Sequence, residues 1–520
     1  MERRSSSSNL LAMPGQSRAW GRHLLALLFL LAVYLAANAL IPAVANHDIM
    51  LLAALLGAYM ALNIGANDAG NNIGPLVGSR VITLTGAVLF AALFEAAGAF
   101  LAGGEVISTI ERGIIAPEQL GSSATVVRVM LSALLAGALW LHIATLTGTP
   151  VSTTHAIVGG VIGAGTTVGG VAVANWQMIG TITAGWVLSP ILGGLIAALL
   201  LYLIKRTLLY QREMSQAARR VVPLLVGFMA WIFTSYLLLK GLKASWRVDF
   251  TTALLCGLSI GAGVYLIVRP TIEQRTALLP NTKSAVSRLF NLPLLLAAGL
   301  LSFAHGSNDV ANAIGPLIAI GDALRIESLP PHGDLSLWLL LIGSLGIPLG
   351  LVLYGRRLIE TIGSEITELD QVRAFCIVTS VAFTVLLASR LGLPVSSTHT
   401  AVGAVFGIGF LREALKTNYA VLLEKLKRYH EEQDASFIED FIARFDRSPF
   451  SEKGRMLAEL ERSDKRIEFS KKESKALQKL YRQALVERST FTRIVLAWSV
   501  TLPVTGLLAS FIYRLTAWLV

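Results

Sequence analysis

PVSTTH at residues 150–155 and PVSSTH at residues 394–399 are nearly one hexapeptide written twice in a single chain. Each sits in a longer match. GTPVSTTHAIVGGVIG at 148–163 aligns with GLPVSSTHTAVGAVFG at 392–407, and upstream GANDAGNNIGPL at 65–76 aligns with GSNDVANAIGPL at 306–317. The displacements, 241 residues for the upstream pair (65 to 306) and 244 for the other (148 to 392), are almost equal. Two motifs that recur in the same order at one spacing mark an internal duplication.

The surrounding chain is unusually apolar. Of 520 residues, 54% are hydrophobic and only 15% charged, with a mean hydropathy of +0.63, beyond what a soluble domain carries. Thirteen stretches approach or reach the ~20 residues a membrane helix requires. The net charge of +11 raises nucleic acid as a partner, but the basic residues flank apolar stretches and form no patch interleaved with aromatics, so no nucleic-acid partner is expected. Cys256 and Cys376 both fall inside apolar stretches, which leaves neither a disulfide framework nor a cysteine metal set. The N-terminal segment places Arg3, Arg4, Arg18 and Arg22 ahead of an apolar run too long for a signal-peptide core, and reads as an uncleaved leading helix. Its Ser- and Arg-rich start keeps a plastid transit sequence as the alternative.

Basic loops stay on the cytoplasmic side. With Arg3 to Arg22 inside and every stretch crossing, Lys205 and Arg206, Arg269 to Arg288, Arg356 and Arg357, and the charged segment after residue 411 all fall inside as well. The two copies of the repeat then run in opposite directions. The expected fold is an all-α polytopic membrane protein with an inverted-topology repeat of two five-segment halves, containing interrupted helices or re-entrant hairpins, an architecture of secondary transporters. Its parts are a cytoplasmic N-terminus with an extra helix (1–45), the first repeat (46–204), two linking helices with basic loops (205–289), the second repeat (290–411), a charged helical cytoplasmic insertion (412–489) and a final helix of the second repeat (490–520).

Within the Asn-Asp motifs, Asp68 and Asp309 are ionisable residues in apolar stretches, and need a counter-charge, a donor or a water-filled cavity. A hard cation answers this need, with Asn67, Asn71, Asn308 and Asn312 adding neutral oxygen ligands. A proton carried on the aspartates is the rival, and helix capping the ordinary structural role of such residues. Pro followed by hydroxyls ahead of an apolar run is a helix start, and a helix N-terminus is an anion site. Ser152, Thr153, Thr154, Ser396, Ser397 and Thr398 are therefore the candidate oxyanion ligands. Without an Arg clamp, such a site releases its anion readily once a co-bound cation leaves. His155 and His399 follow directly, as substrate contacts, proton shuttles or structural pins. Glu95 is a further intramembrane acid, and the second half holds no carboxylate in the corresponding region, 342–355.

The paired GANDAGNN and GSNDVANA, the paired PVSTTH and PVSSTH, and ETIGSEITEL at 360–369 resemble the Pit family of inorganic phosphate transporters. The resemblance covers both repeats and the final helix. It implies symport of phosphate with Na⁺ or H⁺, no other cofactor, no enzymatic activity, a likeness to proteins that assemble as homodimers, and a multi-pass place in the bilayer of the bacterial inner membrane, or the plastid inner envelope if the transit reading holds. Carried onto matching positions, it assigns Asn67, Asp68, Asn308 and Asp309 to the coupling ion, with Na⁺ on Asp68 and Asp309 if sodium drives transport, and residues 152–154 and 396–398 to the oxyanion. The Gly70 in the first motif and the placement of the charged insertion depart from the family's usual pattern. A permease for sulfate or another tetrahedral oxyanion, a passive anion channel and an intramembrane hydrolase are the alternatives. The hydrolase fares worst, because Ser and His are duplicated and no G-x-S-x-G elbow exists.

Overall fold

A computed structural model describes residues 15–41, 46–240, 248–324, 337–356, 359, 370–432 and 488–519. The thirteen apolar stretches become thirteen helices: α1 (Gly15–Leu40), α2 (His47–Gly78), α3 (Leu84–Ala102), α4 (Ser123–Thr147), α5 (Thr153–Gly169), α6 (Trp176–Ile204), α7 (Met214–Lys240), α8 (Phe250–Ala277), α9 (Asn291–Ala323), α10 (Leu337–Tyr354), α11 (Gln371–Arg390), α12 (Ser397–Glu432) and α13 (Arg488–Leu519). Among the described residues there is no strand, only one isolated bridge between Ile115 and Ala174. The start of the charged insertion continues α12 to Glu432 and its last two residues open α13; residues 433–487, like ETIGSEITEL, lie outside the described residues.

Ten of these helices are long and apolar enough to cross a membrane. Helix α5 is not: its 17 residues reach about 26 Å, less than the ~30 Å hydrocarbon layer. Large apolar side chains such as Leu93, Ile267 and Leu507 point outward, while Asn, Asp, Ser and Thr of the repeated motifs are buried. That distribution suits a surface facing lipid.

The interruptions expected of the repeat do not fall at the Asn-Asp motifs: α2 and α9 run unbroken for 32 and 33 residues, through Pro75 and Pro316. The polar side chains find partners on neighbouring helices, so the backbone has no reason to leave the helical path. Each proline does lack the N–H that would bond the carbonyl four residues earlier, of Asn71 and of Asn312. The breaks fall instead ahead of the hydroxyl motifs. Gly148 after α4 and Gly392 after α11 take left-handed φ values of 72° and 67°, which glycine tolerates without a Cβ clash.

Packing interlocks the copies. Helix α2 lies against α10 and α9 against α3, while α5 pairs with α13 and α12 with α6. These crossings depend on glycine at the contact. A Cβ on Gly65 would sit 1.7 Å from the Ile347 carbonyl oxygen, and one on Gly306 would sit 2.1 Å from that of Glu95. Gly98 meets the Phe303 carbonyl and Gly350 that of Leu62 in the same way, so the close approaches come in pairs that follow the sequence repeat.

Candidate functional site

The two Asn-Asp motifs and the two hydroxyl motifs converge in one fully buried cluster. Ser152 caps α5 by accepting the His155 N–H at 3.1 Å, and Ser396 accepts the His399 N–H at 3.2 Å at the start of α12. The next hydroxyls turn inward. Thr153 donates to Asp68 Oδ2 at 3.0 Å and Ser397 donates to Asp309 Oδ2 at 3.2 Å. Thr154 donates to the Val395 carbonyl and Thr398 to that of Val151, tying the helix starts together across the repeat.

The carboxylates carry further bonds. Asp68 Oδ1 accepts from Thr398 Oγ1 at 2.7 Å and from Asn71 at 3.1 Å; Asp309 Oδ1 accepts from Asn312 at 3.2 Å. Asn71 also donates to Thr398, while Asn312 donates to Thr153 and Thr154. Asn67 and Asn308 brace the segments before the hydroxyl motifs, donating to the carbonyls of Thr149 and Leu393 respectively. Most of these contacts recur in the other half, but the Thr398 bond to Asp68 and the Asn312 bond to Thr153 occur on one side alone.

All six predicted hydroxyl residues and all six Asn and Asp residues thus lie in one cluster, buried to 2% exposure or less. The hydroxyls that sequence reading assigns to an oxyanion are engaged here as caps, as donors to the aspartates or as ties between the helix starts. The first-turn backbone N–H groups of Thr153 and Thr154, and of Ser397 and Thr398, have no acceptor within their own helix, as at any helix start.

Three amide oxygens in the cluster, Asn71 Oδ1, Asn308 Oδ1 and Asn312 Oδ1, accept no hydrogen bond. Buried carbonyl oxygens without donors, beside carboxylates, fit a hard oxygen-seeking cation. Ligand atoms of Asp68, His305 and Asp309 lie within 4.8 Å of one another.

Residue His305 escaped the sequence reading. Its Nε2 lies 3.0 Å from Asp309 Oδ2 and 3.5 Å from Asp68 Oδ2, and its Nδ1 lies 3.0 Å from Glu95 Oε1. Asn72, likewise missed, donates to that same Glu95 oxygen. The signal was present: His305 precedes Asp309 by four residues, one turn away on the same helical face. Among the described residues, Glu95 therefore joins the cluster through His305 and Asn72. The repeat lacks this arm on its other side, where Ile64 aligns with His305 and Ile347 occupies the backbone contact equivalent to that of Glu95. Three buried carboxylates face one titratable imidazole, and among the described residues no Lys or Arg pairs with them. Three buried carboxyl groups without a Lys or Arg partner suit a bound cation or a carried proton.

His155 and His399 take a different position. Their rings meet edge to face, 4.5 Å between centroids, between Trp186 and Trp498, whose rings lie 3.9 Å from His155 and 3.8 Å from His399. Neither is bonded to an aspartate of the cluster.

With this geometry in place, similarity to known proteins is informative. Residues 64–509 match the phosphate transporter family. A Helicobacter pylori protein named "Putative phosphate permease" is 47% identical over 499 residues, 94% of each chain. One of the same name from Chlamydia trachomatis is 40% identical over 390 residues, covering 70% of this chain and 90% of its own. A solved structure described as "The sodium-dependent phosphate transporter" superposes with a TM-score of 0.73 at 29% identity, over 91% of this chain and all of its own. The chain is a multi-pass membrane protein that belongs to the phosphate transporter family.

Proposed function

We propose that the protein imports inorganic phosphate by symport, with Na⁺ as the coupling ion and the anion held between the N-termini of α5 and α12. The observation that carries this reading is the matched bonding of Thr153 to Asp68 and of Ser397 to Asp309. It links each candidate cation ligand to a candidate anion-binding helix start. A cation at the aspartates competes for the oxygens that now accept these hydroxyls, and so frees the hydroxyls to turn toward an oxyanion. Loss of the cation returns the hydroxyls to the carboxylates and weakens the hold on the anion. Binding of the two ions is coupled by one set of donors.

The halves run in opposite directions across the bilayer, so their equivalent helix starts approach the site from the two sides. The sodium-dependent activity named for the structural relative favours Na⁺ over H⁺. The protein acts in a bacterial inner membrane as a homodimer, and crosslinking in membranes tests that assembly.

Radiolabelled phosphate uptake into proteoliposomes tests the mechanism. Uptake driven by an inward Na⁺ gradient, and lost in Thr153→Val and Ser397→Ala, is the expected result. Drive by a proton gradient alone would reassign Asp68 and Asp309 as proton carriers, and sulfate uptake without phosphate uptake would refute the substrate.

A further inference from the structure

Away from the central cluster, the ends of four helical segments enclose a cavity of about 200 Å³, lined by Leu201, Lys205, Leu209, Lys283, Asp370, Val372, Arg373 and Arg412. Four cationic side chains face one carboxylate. Asp370 pairs with Arg373 at 3.0 Å, and the charges of Lys283, Arg412 and Arg373 all act on Lys205. A cavity lined mainly by basic side chains favours an anion.

The position of these residues matters as much as their charge. Lys205 follows directly on α6, Lys283 precedes α9, Arg373 lies in the first turn of α11, and Arg412 lies on α12 where the apolar run gives way to the charged insertion. All four stand where helices leave the apolar layer, on the face that the distribution of basic loops assigns to the cytoplasm. Leu201, Leu209 and Val372 give the cavity an apolar wall as well. A basic pocket between membrane helices at this level suits a phosphate-bearing head group.

We propose that this cavity binds a phosphate group, separately from the central cluster. Its source is the head group of an anionic phospholipid of the cytoplasmic leaflet or inorganic phosphate from solution, and the ligand's charge is met by Lys205 and Lys283. The Asp370 carboxylate, already held by Arg373, limits the affinity. Binding there would bridge elements of both repeats and the linker between them.

Chemical footprinting of Lys283, which is exposed, tests this on the full chain in nanodiscs. Acetylation is followed by mass spectrometry in phosphatidylcholine alone, with phosphatidylglycerol added, and in phosphatidylcholine with inorganic phosphate against chloride at equal ionic strength. Protection by phosphatidylglycerol identifies the lipid as the source; protection by inorganic phosphate in phosphatidylcholine identifies the free anion. Lys205→Gln should weaken the protecting ligand about fivefold, the effect of one basic residue near the surface. Asp370→Asn, which keeps a competent helix cap, should strengthen it by a similar factor. No protection by either ligand, or protection unchanged in Asp370→Asn, would overturn the assignment. The footprint is read without transport, so its failure leaves the proposed symport untouched.

Discussion

Adding one methyl group at Gly306 should cost the protein both stability and transport. The Cβ of Gly306→Ala would lie 2.1 Å from the Glu95 carbonyl oxygen, 2.8 Å from its carbonyl carbon and 2.9 Å from its Cα. Real contacts do not fall below about 3 Å, so α9 and α3 must separate by about 1 Å, and the obstacle is backbone, not a side chain that can swing away. Overpacking of this kind costs about 1–3 kcal/mol. The separation also draws Glu95 from His305, now 3.0 Å apart, a bond to a charged group worth roughly 1.5–3 kcal/mol. The expected total loss is about 2.5–6 kcal/mol, with phosphate uptake reduced more than tenfold. Gly65→Ala, facing the Ile347 carbonyl, should destabilise similarly without touching Glu95. Gly180→Ala is the control of opposite sign: no atom lies within 4 Å of its Cβ, and replacing a helical glycine gains about 0.5–1 kcal/mol. Thermal unfolding of purified protein and uptake in proteoliposomes measure the two effects. A Gly306→Ala protein with wild-type unfolding and uptake would refute the reasoning, because it would mean that the close helix crossing does not exist.

Further outcomes follow from the same geometry. Glu95→Gln should lower uptake at least tenfold, while the double variant Glu95→Ile with His305→Ile, which copies the Ile64 and Ile347 of the other half, should unfold at a higher temperature than either single variant yet stay inactive. Asp68→Asn should abolish Na⁺ dependence, since its amide carries no charge and its NH2, in place of one carboxylate oxygen, meets a hydroxyl that donated there; retained Na⁺-driven uptake would contradict it. Ser152→Ala and Ser396→Ala each remove a helix cap, costing about 1 kcal/mol apiece, so their transport defect is to be read against Thr153→Val, which leaves the cap in place. Burial alone would raise the Asp370 carboxyl, but the charge of Arg373 and its backbone N–H hold it below the usual carboxylate range. Its contribution is present above the unfolded value near 4 and is lost as pH falls through the lower folded value. Acid unfolding of Asp370→Asn should therefore show a smaller loss across that window than the wild type.

The sequence alone determined much of this protein. Apolar runs that reach or approach membrane length mark thirteen helices, because a bilayer leaves the backbone few other ways to satisfy its hydrogen bonds. The repeated motifs single out Asp68, Asp309 and their hydroxyl neighbours, because uncompensated charge in an apolar layer has no cheap structural reason to be there. Prolines and hydroxyls placed the starts of α5 and α12 correctly, since capping is a local matter. Tertiary structure decided the rest. Whether the Asn-Asp motifs break their helices depends on partners on other helices, and with those present α2 and α9 stay continuous. That His155 and His399 pack between two tryptophans, while the unremarked His305 reaches all three carboxylates, depends on which face each helix turns inward, and hence on glycine contacts between segments some 200 residues or more apart. Helical periodicity is local, but the choice of neighbour is made by packing across the whole chain.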